Sequence, residues 1–378
     1  MSKKNFDVVV YGATGFTGKL VVEYMLNQYG DDETISWAMA GRSHEKLVAV
    51  RDALGVSQDV PLLTVDSDDE ESITQMVQQT QCVLTTVGPY QLYGPNIVKQ
   101  CVAHGTDYVD LCGEPGWMHE MINEHAAQAK ETGARIVFSC GFDSIPFDLG
   151  VYFLQNKVIA EHGKPASNIR GRVRAMNGEF SGGTAASLSA TMASLKEKPE
   201  LFAVLANPFA LCNGFTGPEQ APDSKAVFDE KLETWVAPFF MAPINTKNVH
   251  RSNALMDHLY GKDFCYNEMW IQGPGEEGKA AADFISSINP LGDAPKPGEG
   301  PSRESRENGN YDVLFCADVD NESVHVSVKG DMDPGYGSTS KMILESALCL
   351  VQDCSELGGG IYTPAPSMGV KLIDRLQA

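Results

Sequence analysis

Gly12, Gly15 and Gly18 stand three apart in VVVYGATGFTG, residues 8–18, where an apolar run gives way to an amphipathic segment over 19–28. Strand, glycine turn and helix in that order suit a dinucleotide. Gly12 permits the tight turn, Gly15 lets backbone amides approach a pyrophosphate, and Gly18 lets the helix lie against the strand. The exposed N–H groups and the positive end of the helix dipole then meet the phosphate charge. Ala13, Thr14, Phe16 and Thr17 fill out the predicted cradle. A plain glycine turn in an α/β protein would share the spacing, so the flanking strand and helix carry the distinction.

Charge supplies the second reading. A site for the unphosphorylated dinucleotide usually places Asp or Glu about 20 residues beyond the glycines. This chain has Gly41, Arg42 and Ser43 there, with Lys46 one helical turn on. A guanidinium and a hydroxyl suit a 2′-phosphate that a carboxylate would repel, so NADP(H) is expected over NAD(H). Asp66, closing the third strand, is placed at the adenine end. Val87, Gly88, Pro89 and Tyr90 end the fourth, where a nicotinamide ribose would pass. Hydride transfer also needs a proton donor or an oxyanion partner. Tyr90, Asp143 and Ser144 are candidates, with Glu114 behind them, and each would serve equally as a turn or cap residue.

Such residues must be held at strand ends, and the first half supplies them. Further strands are expected over 34–41, 61–66, 82–87, 108–111 and 135–140, with helices over 45–54, 67–79, 95–104 and 117–132. That alternation implies an α/β fold with a doubly wound, mostly parallel Rossmann sheet. The acidic run from Asp66 to Glu71 reads as a first helical turn rather than a metal site. At 378 residues and 43% hydrophobic, the chain has room for two domains. A net charge of −21, spread over both halves, excludes the basic stripe of a nucleic-acid binder. The apolar windows fall short of a membrane span, although contact with a lipid surface stays open. The N-terminus enters the first strand directly, so a cytoplasmic location is expected, and the nine scattered cysteines read as reduced packing residues. No Tyr-x-x-x-Lys, H-E-x-x-H, C-x-x-C or G-x-S-x-G occurs, and no metal is expected.

The ordered set YGATGFTG, AGRS, VGPY, YVDLCGE and CGFDSIPFDLG resembles the saccharopine dehydrogenase-like oxidoreductases, and within them the branch containing the trans-acting enoyl reductases. SGGTAASL, PGEGPSRE, GDMDPGYGSTSKM and GGGIYTPAPSMG continue the match over nearly the whole chain. The resemblance implies a Rossmann domain over 1–145, an α+β substrate or dimerisation domain over 146–337, and a tail over 338–378 that packs back on the first. It also implies an enoyl preference.

In the second half, Arg170, Arg172 and Arg174 alternate along a predicted strand, as either an anion-binding surface or a solvated sheet face. Ser181 is a plausible cap for a helix over 185–195. The Pro-interrupted segments 201–211 and 235–243 read as an acyl pocket or as buried packing, and 292–310 as a loop. Strands over 311–317 and 323–329 form an expected hairpin, followed by a helix over 338–354. The expected activity is NADP(H)-dependent reduction of an apolar or lipid-derived C=C or C=O in a small-molecule or acyl substrate, by a chain with room for homo-oligomers. The alternatives are saccharopine-type C–N chemistry, which would need those arginines for a dicarboxylate, and a non-catalytic NADP sensor or scaffold.

Overall fold

The computed structural model describes residues 4–179, 182–288 and 299–378, apart from the side chain of Thr184. Proline and glycine punctuate the first half. The helices Pro95–His104, Pro115–Thr132 and Ile145–His162 each carry Pro in the first turn, where its missing N–H costs nothing, and end at a left-handed glycine, Gly105, Gly133 and Gly163. Ser43 caps His44–Leu54, its hydroxyl accepting from Lys46 N at 3.3 Å. Asp69 caps Glu70–Gln79, so the acidic run forms a helix start.

Thirteen strands are described: β1 Phe6–Tyr11, β2 Trp37–Gly41, β3 Leu62–Thr64, β4 Thr80–Thr85, β5 Asp107–Val109, β6 Arg135–Val137, β7 Asn168–Asn177, β8 Val227–Asp229, β9 Thr234–Pro238, β10 Cys265–Gly273, β11 Asn310–Val319, β12 Glu322–Gly330 and β13 Gly360–Tyr362. The first sheet runs β13-β6-β5-β4-β1-β2-β3 and is parallel throughout, the Rossmann order with one more strand at the β6 edge. Helices cover both faces, so β1 reads as a continuous apolar run. Val8 and Val10 pack with Val21, Met25 and Ile343, while Val9 and Tyr11 pack with Ile73, Val98 and Met118 on the other face.

The second sheet runs β12-β11-β7-β10-β9-β8 and is mixed, with β7 and β10 parallel and the other pairs antiparallel. The expected hairpin is β11–β12, turning at Asp320 and Asn321 in the left-handed region. The helix Ile145–His162 leads from one sheet to the other, and Phe147, Leu154 and Val158 join the core shared with Phe315 and Leu348. The chain then returns, through the helix Thr339–Asp353 against β1 and β4 and through β13.

Two expectations need revision, and a helix was not foreseen. The arginines of β7 are neither an anion site nor a bare solvated face. Arg170 and Arg172 share Asp229, at 2.6 and 2.8 Å, and Arg174 pairs with Asp312 at 2.7 Å. The span 292–310 includes a capped helix, Arg303–Glu307, while the part up to 298, like the proposed cap Ser181, lies outside the described residues. The helix Ala242–Leu255 has no counterpart in the sequence reading. Asn245, Lys247, Asn248, His250 and Arg251 on it are all buried, so its polar composition concealed its position.

Candidate active site

A cavity of about 810 Å³ lies beyond the carboxyl ends of the first sheet's strands, closed from the other side by the second domain. This is where an open α/β sheet binds ligands, and the volume falls within the usual range for small-molecule sites. Its floor is the glycine turn. Gly12 has φ +93°, where L side chains are strained, and a Cβ there would lie 2.7 Å from Thr86 Oγ1. A Cβ on Gly18 would lie 2.0 Å from the Gly12 carbonyl, so the helix Phe16–Tyr29 sits as close as backbone allows. Gly15 precedes that helix with no side-chain cap, leaving the helix's first N–H groups to the cavity.

Gly12, Thr14, Gly15, Phe16 and Thr17 line the cavity, whereas Ala13 and Gly18 are buried behind the turn. Arg42 also lines it, exposed, with no ion pair or hydrogen bond among the described residues. Ser43 and Lys46 serve the helix start beside it and do not line the cavity. Asp66 is likewise outside it. Its carboxylate accepts from Asp68 N at 3.1 Å in a local turn, and the neighbouring Ser67 reaches the cavity instead. Arg42 thus stands beside a turn in which Gly12 and Gly15 bring backbone to the cavity surface.

At the other end Val87, Gly88, Pro89 and Tyr90 line the wall. The Tyr90 hydroxyl donates to Thr85 O at 3.3 Å and accepts from Leu111 N at 3.1 Å, and burial pushes its pKa well up, so the phenol is committed to backbone. Glu114 does not line the cavity. Its carboxylate accepts from Tyr90 N and Gln91 N, at 2.9 and 2.8 Å, and from the Ser187 hydroxyl at 2.6 Å, tying the wall to the helix Gly182–Glu197. Ser144 is fully buried outside the cavity, donating to Asn245 Oδ1 at 2.7 Å and accepting from Asn248 Nδ2 at 2.8 Å. Of the candidate proton donors, Tyr90 thus lines the cavity with its hydroxyl bonded to backbone, and Ser144 lies outside it.

Asp143 differs from both. It lines the cavity, its Oδ1 is buried without a hydrogen-bond partner among the described residues, and desolvation pushes its pKa up to about 7. Behind it Glu268, fully buried, accepts from Asn245 Nδ2 and Tyr266 Oη at 2.9 and 2.8 Å. Burial foremost, with the nearby Asp143 carboxyl adding to it, pushes Glu268 well above the carboxylate range. Lys247 also lines the cavity. Two of its N–H groups go to Leu205 O and Pro243 O at 2.8 and 3.0 Å, and burial pushes it down to about 8. Leu111, Phe142, Leu188, Phe240 and Ile244 give this end apolar lining, interrupted by Ser187 and Thr191. Sequence reading missed Lys247 and the segment Pro334–Tyr336, which closes the cavity over the glycine turn as Tyr336 packs edge-on to Phe16 at 4.7 Å. The motif around Tyr336 was visible but had no chemistry of its own.

Comparisons with known proteins agree with this geometry. Residues 8–137 match the saccharopine dehydrogenase NADP binding domain. A Mycobacterium tuberculosis relative, named provisionally as a trans-acting enoyl reductase, is 38% identical over 99% of this chain and 96% of its own. The trans-acting enoyl reductase of Mycobacterium leprae is 34% identical over the same shares. Apo saccharopine dehydrogenase (L-Glu forming) from Saccharomyces cerevisiae, at 12% identity, shares the fold with a TM-score of 0.53 over 98% of this chain and 95% of that one. The chain belongs to the saccharopine dehydrogenase-like oxidoreductase family, in the branch that contains the trans-acting enoyl reductases.

Proposed function

We propose that the chain is an NADPH-dependent reductase of a polarised C=C or C=O in an apolar, acyl-type substrate. One observation carries this: a single continuous cavity joins the glycine turn and Arg42 to Asp143, whose Oδ1 has no hydrogen-bond partner among the described residues. The amides of 14–17 and Arg42 would hold the diphosphate and the 2′-phosphate, which favours NADPH over NADH. When bound, the reduced nicotinamide supplies the hydride.

The remaining work falls to this chain. Apolar side chains from Leu111 to Ile244 exclude water around the acyl part. Lys247 keeps one N–H for the substrate oxygen on which negative charge gathers. Asp143, neutral up to about pH 7, holds the proton that its Oδ1 side delivers to the reduced substrate. Saccharopine-type chemistry loses its support, because the arginines it would need are paired with Asp229 and Asp312 outside the cavity.

The test is NADPH oxidation by the purified protein across enoyl, keto and imine substrates carrying acyl chains, run in parallel with NADH. Turnover with an enoyl or keto acyl substrate and NADPH is expected. Tight NADPH binding with no turnover on any of them would replace this reading with a non-catalytic NADP-binding role.

A further inference from the structure

A second cavity, of about 370 Å³, lies further along the helix Phe16–Tyr29, where Leu20, Tyr24 and Asn27 follow Phe16 on the same face. The same segments form both walls. Phe16 faces the larger cavity and Leu20 the smaller, Asp143 and Ile145 divide likewise, and so do Tyr336 and Gly337. None of the chemistry above uses the smaller one.

Its body is apolar, built from Leu20, Ile145, Leu149, Met342, Ile373 and Leu376. Phe153 and Met332, 47% and 37% exposed, leave apolar surface at its mouth. Cations gather at the edge of a chain whose net charge is −21. Arg303 is occupied by Glu307 and Glu23, Arg306 donates to Pro301 O and lies over the Phe16 ring, and Lys329 stands 3.5 Å from Asp312. Lys341 is half-buried and has neither an ion pair nor a hydrogen bond among the described residues. The acids at the edge are Glu23 and Glu307, both held by Arg303, and the exposed Asp331.

We propose that this cavity binds one unbranched apolar chain ending in a single anionic group, with the chain among Leu20, Leu149 and Leu376 and the anion on Lys341. An apolar cavity of about 150 Å³ takes one benzene, so this one suits a chain of roughly a dozen carbons. The head is a carboxylate or a phosphate monoester, and both charges meet Lys341 in the same way.

The full-length protein is titrated calorimetrically with dodecanoate, dodecyl phosphate and dodecanol. One molecule of an anionic probe per chain is expected, and whichever anion binds more tightly identifies the head group. Dodecanol should bind about tenfold more weakly. Lys341→Gln should weaken the anion by about the same factor and leave dodecanol unchanged, and Phe153→Ser should weaken both. Neither residue lines the larger cavity, so a loss in these variants locates the site whatever reaction the protein catalyses. No binding, equal binding of dodecanol, or two variants indistinguishable from the parent would overturn the proposal.

Discussion

The two ends of the larger cavity are built on different physics. At the nucleotide end the shape is backbone: a positive φ at Gly12 and a helix so close that Gly18 has no room for a Cβ. At the far end the shape is made by buried polar side chains, with Ser144, Asn245, Asn248 and Glu268 joined by hydrogen bonds while Asp143 Oδ1 and Asn248 Oδ1 have no partner among the described residues. The first cradle fails when an atom is added, the second when a partner is removed. A turn can be encoded in eleven consecutive residues, whereas the polar cluster joins residues about a hundred apart in the chain.

Substitutions can break this contrast in descending order of effect. Asp143→Asn should reduce turnover by about 10²- to 10⁴-fold while leaving the dissociation constant for NADPH unchanged, which single-turnover kinetics and a binding titration separate. If nucleotide affinity falls with turnover, the two ends are not independent. Gly18→Ala acts at the opposite end, and its Cβ against the Gly12 carbonyl should cost about 3 kcal/mol, read as a lowered denaturation midpoint. Arg42→Ala should leave the fold intact and weaken NADPH about tenfold or more, with NADH unaffected, because only the phosphorylated form meets the guanidinium.

Titration sharpens the comparison. With Asp143 raised to about 7, the folded protein keeps a proton that the unfolded chain releases near pH ~4. This contribution to stability is complete below that lower value and is lost as pH rises through about 7. Thermal denaturation of Asp143→Asn should therefore gain on the parent as pH climbs from about 4 to 7, and a parallel pair of curves would refute the shift. The smallest change is expected far from the cavity. Arg174→Ala breaks a partly exposed pair with Asp312 and should alter stability by less than about 1 kcal/mol.

The same contrast explains what the sequence made legible. The first sheet follows from local signals, with Pro95 and Pro115 opening helices and Gly105 and Gly133 closing them, whereas the helix Ile145–His162 was not foreseen although Pro146 and Gly163 bound it in the same way. Arg42 was recognisable because its position is counted from the glycines. The helix Ala242–Leu255 was not, since INTKNVHRSN offers no apolar period and a buried polar face looks like a wet one until its partners are known. Arg251 is the extreme case, spending its guanidinium on the carbonyls of Leu211 and Ile361, which nothing nearby in sequence announces. Tyr90 shows the converse: its position was foreseen, but its hydroxyl is turned to Thr85 and Leu111 by contacts only the folded chain reveals.

The seventh strand of the first sheet, Gly360–Tyr362, comes after every strand of the second sheet in chain order. On the ribosome, the β6 edge therefore has no partner until the whole second sheet and then β13 have been made, and an unpaired edge invites other chains. A fragment ending near residue 145 would carry every glycine of the nucleotide turn yet expose that edge permanently, and Arg251, in the second domain, fastens the strand that covers it. The returning chain thus closes the place where the sheet would otherwise begin to aggregate.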